Sequence, residues 1–479
     1  FTEPVDNPFS RGLTLLNEND KPETVDQSKL PDVQLLYSPR IGFNWDVMGD
    51  RTTQIRGGTG IFTGRLPFVW VGNIISNPGN NPNLYPNVQT QIKTSDDAIL
   101  QTSFDLNGMV EDFKWPQVWT TNLAVDQKLP WDLVGTVEFV YGRDINSIYV
   151  RNADIRTPVR YLPDGRPYFG GVDASGNNLF ELNPDGGAGA YVIDNSSEGY
   201  NYSITAQLRK NFDFGLSSFL SYTFLEAKSL MKSTEIASVL WAENPVQGDP
   251  NKPGLSNSEF GNRHRFVGGA SYRHEWSNQW ATSFGLFVEV AEGNRFEGAG
   301  GNRYSYVYAG DVNGDGSIVN DLIYIPKNQS EIIFSETDKN GNFVGTVDEQ
   351  WAAFNAFIEQ DDYLKEHRGE IAERFGALNQ WFSNIDLRVL QDFIVPMGGN
   401  KHTFQLSVDI LNAANLLNSD WGVRQVASSA ATTPLNLVRF DGTGAPVFNF
   451  NKEVTKTFID DPGLKSRWQM QIGLRYFFN

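Results

Sequence analysis

From Lys465 to Asn479, Trp468, Met470, Ile472, Leu474, Tyr476 and Phe478 alternate with Arg467, Gln469, Gln471, Gly473 and Arg475. A period of two puts the apolar side chains on one face of a strand and the polar ones on the other. The pattern recurs. Leu387, Val389 and Phe393 alternate with Asp386, Arg388 and Asp392, and Phe404, Leu406, Val408 and Ile410 with Gln405, Ser407 and Asp409. Tyr202, Ile204, Ala206 and Leu208 alternate with Ser203, Thr205, Gln207 and Arg209. Val137, Phe139 and Tyr141 alternate with Thr136, Glu138 and Val140, and Ile41, Phe43, Trp45 and Val47 with Arg40, Gly42, Asn44 and Asp46. One oily face and one face of Arg, Gln and Asp predict an all-β fold, the wall of a transmembrane antiparallel β-barrel with a polar lumen.

The connections alternate in length as the side chains do in polarity. Short turns fall at Met48 to Thr52, Lys128 to Asp132, Asn211 to Gly215, His274 to Gln279 and Ile394 to Lys401, mostly with Gly, Pro, Asn or Asp. Long segments fall at Arg65 to Pro116, Arg143 to Glu198, Glu226 to Asn262, Glu292 to Gln380 and Ala413 to Leu464. Short periplasmic turns and long extracellular loops are the bacterial outer-membrane arrangement. The pattern predicts about eleven strands, at 34–47, 53–63, 117–128, 133–142, 199–210, 216–225, 263–273, 280–290, 383–393, 402–412 and 466–478. With short turns periplasmic, the first and last strands both run toward the periplasm and leave the C-terminus there. Single-chain bacterial barrels have an even strand number, so further strands are expected before Phe1; no signal peptide opens the sequence. Trp45, Trp131, Phe212, Trp276, Trp280, Phe393, Tyr476 and Phe478 lie at or beside the short turns, as an aromatic girdle requires.

Composition agrees. No apolar run is long enough for a membrane helix, and the mean hydropathy of −0.38 is no obstacle, because only alternate strand residues meet lipid. The absence of Cys excludes disulfides and thiolate chemistry, and a formal charge of −18 argues against nucleic acid as a partner.

Five strings carry a family resemblance: YSPRIGFNWDV (37–47), TQIRGGTGIFTGRLPFVW (53–70), GDVNGDGSIVNDLIYIP (310–326), FIEQDDYLKEHRGEIAERFG (357–376) and LNAANLLNSDWG (411–422). In this order, over essentially the whole chain, they resemble the Oar-like branch of TonB-dependent outer-membrane receptors of Gram-negative bacteria. Such receptors carry a carboxypeptidase-regulatory-like domain, a plug and a barrel of about 22 strands. The resemblance implies that residues 1–479 are the C-terminal half of the barrel. It also implies a plug and N-terminal domains outside this chain, a TonB energy complex acting through that plug, and assembly machinery reading the last strand. The family ends on an aromatic residue; this chain ends on Asn479, beside Phe478.

The long loop at 292–380 holds the sharpest chemical motif. Asp311, Asn313 and Asp315, then Gly316, open like a D-x-[DN]-x-[DN]-G calcium loop, with Ser317 at the seventh place. The twelfth place is Leu322, so Asp321 would have to close the site; the alternative is a pair of tight turns at Asn313-Gly314 and Asp315-Gly316. Glu349 to Asn379 is expected to be helix, broken at Gly369, packing Trp351, Phe354, Phe357, Ile358 and Leu364 on neighbouring loops. Aromatic clusters at Phe68 to Val71 and at Tyr304, Tyr306 and Tyr308 fit either loop cores or ligand contacts.

Catalytic patterns are missing. The four histidines, His264, His274, His367 and His402, form no i, i+4 pair, and no G-x-S-x-G occurs. The glycines at 57, 58, 60 and 64 miss the dinucleotide spacing, and the pairs Asp361-Asp362 and Asp460-Asp461 are expected on solvated loops. An enzyme is not expected. Two functions stand open: a plug-gated transporter whose lumen is lined by Arg56, Gln207, Arg209, Arg388, Gln405, Asp409, Gln471 and Arg475, or a surface binding or adhesion protein that the barrel only anchors. A soluble calcium-dependent β-protein would have to bury the apolar faces in some other way. The extracellular ligand has no signature in the loops.

Overall fold

The computed structural model describes residues 10–26, 28–77, 79, 105–184, 189–231, 236–293, 305–398 and 400–478. Eleven strands form the wall: β1 Arg40–Asp46, β2 Thr53–Thr63, β3 Gln117–Leu129, β4 Leu133–Asn152, β5 Tyr200–Asn211, β6 Leu216–Ser229, β7 His264–Ser277, β8 Trp280–Ala291, β9 Phe382–Met397, β10 Asn400–Leu411 and β11 Gln469–Phe478. Each pairs antiparallel with the wall strands next to it in the chain, and the sheet is open, with β1 and β11 at its ends. No helix among the described residues is long and apolar enough to cross a membrane.

Register keeps the alternating faces aligned from strand to strand. Phe393 stands opposite Phe404 and Phe404 opposite Tyr476; Leu406 faces Leu474, and Val408 faces Ile472. Phe404, Leu406, Tyr476, Ile472 and Leu474 stay exposed, the last two at 67% and 76%, while Phe393 and Val408 are half-buried. Such a surface is stable only against hydrocarbon. Close packing within the wall needs Gly57, where a Cβ would come 2.9 Å from the Phe43 ring and 2.8 Å from the Asn122 carbonyl. At the β3–β4 turn the chain bends through left-handed Trp131 and Asp132, leaving the indole 79% exposed at the rim.

Several wall boundaries shift by three or four residues, as where β6, β7 and β9 run to Ser229, Ser277 and Met397, and two shift further. β1 starts at Arg40 rather than residue 34. β4 runs to Asn152, ten residues past the expected end, because 147–152 pair with the short strand Ala190–Ser196, which also lies parallel to Leu106–Met109. Here both faces are covered, so Tyr149, Val150, Arg151 and Asn152 are all buried and the alternation disappears.

The long connections gather at the opposite end from the tight turns and have cores of their own. One core contains Tyr306, Tyr308, Ile323, Phe354, Phe357 and Phe450; a second contains Trp70, Ile74, Tyr149, Ile193 and Trp241. Trp70 lies on α1, Phe68–Ser76, with Phe68 and Val69 exposed, and Tyr304 lies outside the described residues. Trp70, Tyr306 and Tyr308 are therefore core residues of the loops.

The expected 349–379 helix is corrected to α2, Val347–Glu359, and α3, Asp362–Glu366, with irregular chain beyond. Thr346 and Glu349 form a reciprocal capping box at the start of α2. The break falls at Asp361, not Gly369, because the Asp361 carboxylate accepts from Leu364 N at 2.9 Å, Tyr306 Oη at 2.6 Å and Thr457 Oγ1 at 2.7 Å. Asp361 is thus buried, against the expectation of a solvated pair with Asp362. Past α3, residues 369–372 pair with 323–325 instead of continuing the helix.

Candidate functional site

The inner face of the wall is built from cross-strand charge pairs. Arg56 on β2 reaches Asp126 on β3 (Nε to Oδ2, 3.0 Å) and Glu138 on β4 (Nη1 to Oε1, 3.3 Å), while Thr136 Oγ1 donates to the other oxygen of Asp126 at 2.5 Å. These groups, with Gln207 and Arg209, line a concavity of about 470 Å³ near the β1–β2 turn. Farther round, Arg265 pairs with Glu289 at 2.7 Å, and Arg273 with Asp392 at 2.7 Å. Gln405 Nε2 donates to the free oxygen of Asp392 at 2.8 Å, and Arg388 pairs with Asp409 directly across the β9–β10 ladder. Gln471 stands opposite Asp409, and Arg475 opposite Gln405. All eight lumen candidates therefore lie on one face. The surface is charged of both signs, solvated and largely self-compensated, as suits a water-filled lumen.

The alternation had already put Glu138 and Asp392 on the polar face, whereas the partners Asp126, Arg273 and Glu289 were not singled out from the sequence. They share the polar parity of the same strands, but naming the pairs requires register. A second aromatic rim was also missed. At the long-connection end, outward rings of Trp119 and Tyr141 meet edge-on at 6.0 Å, and Tyr202, Phe224, His264 and Trp381 follow at centroid spacings of 6.0, 5.2 and 6.0 Å. Rings at both ends of the wall delimit an apolar band between two interfaces.

In the loop layer, the predicted calcium residues are brought together. Asp311 accepts from Asp315 N and Gly316 N, both at 3.0 Å; Asn313 Oδ1 accepts from Asp315 N at 2.9 Å; Asp315 Oδ1 accepts from Ser317 N at 2.7 Å. Asp321 is held elsewhere, by Arg166 Nη1 at 3.2 Å, Val312 N at 2.7 Å and Asn313 N at 3.0 Å. Ser317 Oγ donates to Ala242 O at 2.5 Å. Burial, with Asp321 nearby, pushes the Asp311 carboxyl up to about 7, and burial likewise raises Asp315 and Asp321. Among the described residues no three His, Cys, Asp or Glu side chains converge as a metal set.

Two further arginines fasten the loops. Arg151, 1% exposed, joins Glu23 of the segment before β1 to the top of β4. Arg374 holds Leu230 O, Ser229 O and Asn244 Oδ1, and burial draws its pKa down to about 10, so it remains charged at neutral pH. Beside the first core, a cleft of about 830 Å³ is lined by Ile318, Lys339, Asn436, Phe450, Asn451 and Glu453.

Comparison with known proteins completes the picture. No curated protein matches the chain. Among solved structures it is similar to the outer membrane transporter YddB from Escherichia coli, with TM-score 0.43 and 10% identity over 92% of this chain and 40% of that one. It is also similar to a mutant of the ferric enterobactin receptor PfeA from Pseudomonas aeruginosa (TM-score 0.36, 9% identity, 92% and 40%). A third is BauA, the ferric preacinetobactin receptor from Acinetobacter baumannii (0.32, 7%, 85% and 34%). The chain thus spans 34–40% of the length of these three proteins. The family model for the outer membrane beta barrel domain matches residues 9–433. With that match spanning β1 to β10, and with a wall that is apolar outside and paired in charge inside, the chain belongs to the outer membrane beta barrel domain family and has its place in the outer membrane.

Proposed function

We propose that this chain is the C-terminal half of the barrel of an Oar-like, TonB-dependent transporter, oriented with its tight turns in the periplasm and its long loops outside the cell. The observation that carries the reading is the open eleven-strand meander with a charge-paired inner face. An open sheet of this size leaves the backbone groups of β1 and β11 without partners in hydrocarbon, so it has to be completed by further strands. Closure with an equal number of strands makes a lumen wide enough for a plug. A solvated inner face such as that around Arg56 suits a removable polar domain better than a fused apolar core.

In this reading the ligand enters through the loop layer, the plug withdraws under the pull of the TonB complex, and β11 is the strand that the assembly machinery recognises. A second reading, a surface binding or adhesion protein on a passive barrel, is favoured by the loop cores around Phe354 and Trp70, larger than a simple pore needs. The discriminating experiment uses the complete natural protein in its host. Cross-linking to TonB that rises when ligand-bearing medium is added supports transport. Absence of any TonB contact, together with retained surface binding of the medium component, supports adhesion. For orientation, protease added to intact cells is expected to cut at 338–342 and never at 213–215.

A further inference from the structure

We propose that Asp311, Asn313, Asp315 and Asn320 hold a calcium ion that locks the loop layer above the wall. The sequence motif alone leaves tight turns as an equal explanation, and the closing residue it suggested, Asp321, is occupied by Arg166 and two main-chain amides. The added observation is Asn320. Its side chain is fully buried, its Nδ2 lies 2.8 Å from Asp315 Oδ2, and its Oδ1 has no hydrogen-bond partner. An orphan carbonyl oxygen in that position is unfavourable unless something binds it. The two ends of an amide are interchangeable in shape. Turning this one over would set its oxygen against the Asp315 carboxylate, an arrangement that becomes favourable when a cation stands between them.

The ligand chemistry fits a hard cation of calcium's size. Asp311 and Asp315 supply carboxylate oxygens, and Asn313 and Asn320 supply amide oxygens. The turns that bind Asp315 N, Gly316 N and Ser317 N fix Asp311, Asn313 and Asp315 around one loop. The set is two carboxylates and two amides, a mixed oxygen shell of the kind calcium accepts. Charge points the same way. Asp315 and Asp321 are fully buried with Asp311 beside them, and the Arg166 guanidinium that pairs with Asp321 is shared with Asp164, so the carboxylates around the loop outnumber the cation bonded to them.

The loop also sits where stiffening would matter. Asn313 O and Gly314 O accept from Phe169 N and Gly171 N, and Asn313 Nδ2 donates to Gly248 O at 3.0 Å. One ion at this point would therefore tie the connections after β4, β6 and β8 together.

The test uses the complete protein in detergent, with calcium chloride as the probe and magnesium chloride as its comparison. Calorimetric titration after chelator treatment is expected to show one calcium site, insensitive to magnesium, and protease cleavage of the loops is expected to slow on adding calcium. D311N and N320L should each weaken calcium affinity about ten-fold or more. Asp311 is partly exposed, so D311N keeps the test decisive if N320L fails to fold. No calcium uptake by the wild type, or uptake that D311N leaves unchanged, overturns the proposal.

Discussion

Placing an arginine on the outer face of β11 should prevent assembly, whereas placing one three residues earlier on the inner face should not. Leu474 lies mid-strand, five residues from the start of β11, and is 76% exposed on the apolar parity opposite Leu406. At that depth Leu474→Arg introduces a cation into hydrocarbon at a cost of about 2 to 4 kcal/mol. It also forfeits the transfer of leucine to lipid, about 1.5 to 3 kcal/mol more. The first term alone lowers the folded fraction about 30- to 900-fold when stability is marginal. Gln471→Arg points the same group toward Asp409, already paired with Arg388 in a solvated row, and should change stability by no more than about 1 kcal/mol. The assay is folding of the complete protein into lipid vesicles, read by the gel shift between heated and unheated samples. The reasoning is refuted if the two variants fold in equal yield, or if Gln471→Arg is the worse.

Three further outcomes follow from the loop layer. Arg374→Gln strands the carbonyls of Leu230 and Ser229, at about 1–3 kcal/mol for each orphan, so limited proteolysis should open the 229–251 segment while the heat-modifiable barrel persists. Thr346→Ala removes the capping box of α2 and should cost the loop layer about 1 kcal/mol in denaturant titration; no change would contradict the cap. Burial pushes Asp154 up to about 6, above the ordinary carboxylate range, so its ionised form opposes folding. The loop should therefore be most stable below about pH 4 and lose up to about 3 kcal/mol as pH rises to 6, then level off. Hydrogen exchange at 153–183 that instead becomes more protected over that interval would reverse the assignment.

The wall was legible because membrane strands obey a strict local rule: wherever one face meets lipid and the other water, as at Phe404 to Ile410, residue type reports the face. Legibility stopped where that contrast stopped. Residues 147–152 of β4 have protein on both sides, so Arg151 and Asn152 are buried next to Val150 and no alternation survives. The break at Asp361 was hidden because its cause, Tyr306 and Thr457, lies far along the chain. Parity placed the eight polar candidates on one face, as the register shows, but pairing Arg56 with Asp126 or Arg273 with Asp392 needs strand order and register. The acidic loop was visible as a motif, whereas Asn320, outside the odd-numbered ligand spacing, showed itself only through a buried oxygen with nothing to bind.

The central claim is that alternate side chains of the wall touch lipid and the others touch water. Residues 1–479 contain no cysteine, so single cysteines introduced along β10, from Phe404 to Ile410, can carry a spin label once any cysteine elsewhere in the complete protein is replaced. With the complete protein in vesicles, collision with oxygen, which concentrates in hydrocarbon, should peak at 404, 406, 408 and 410. Collision with a water-soluble nickel complex should peak at 405, 407 and 409. A profile with no period of two, or one in which the even positions are shielded from oxygen and open to nickel, would contradict the account.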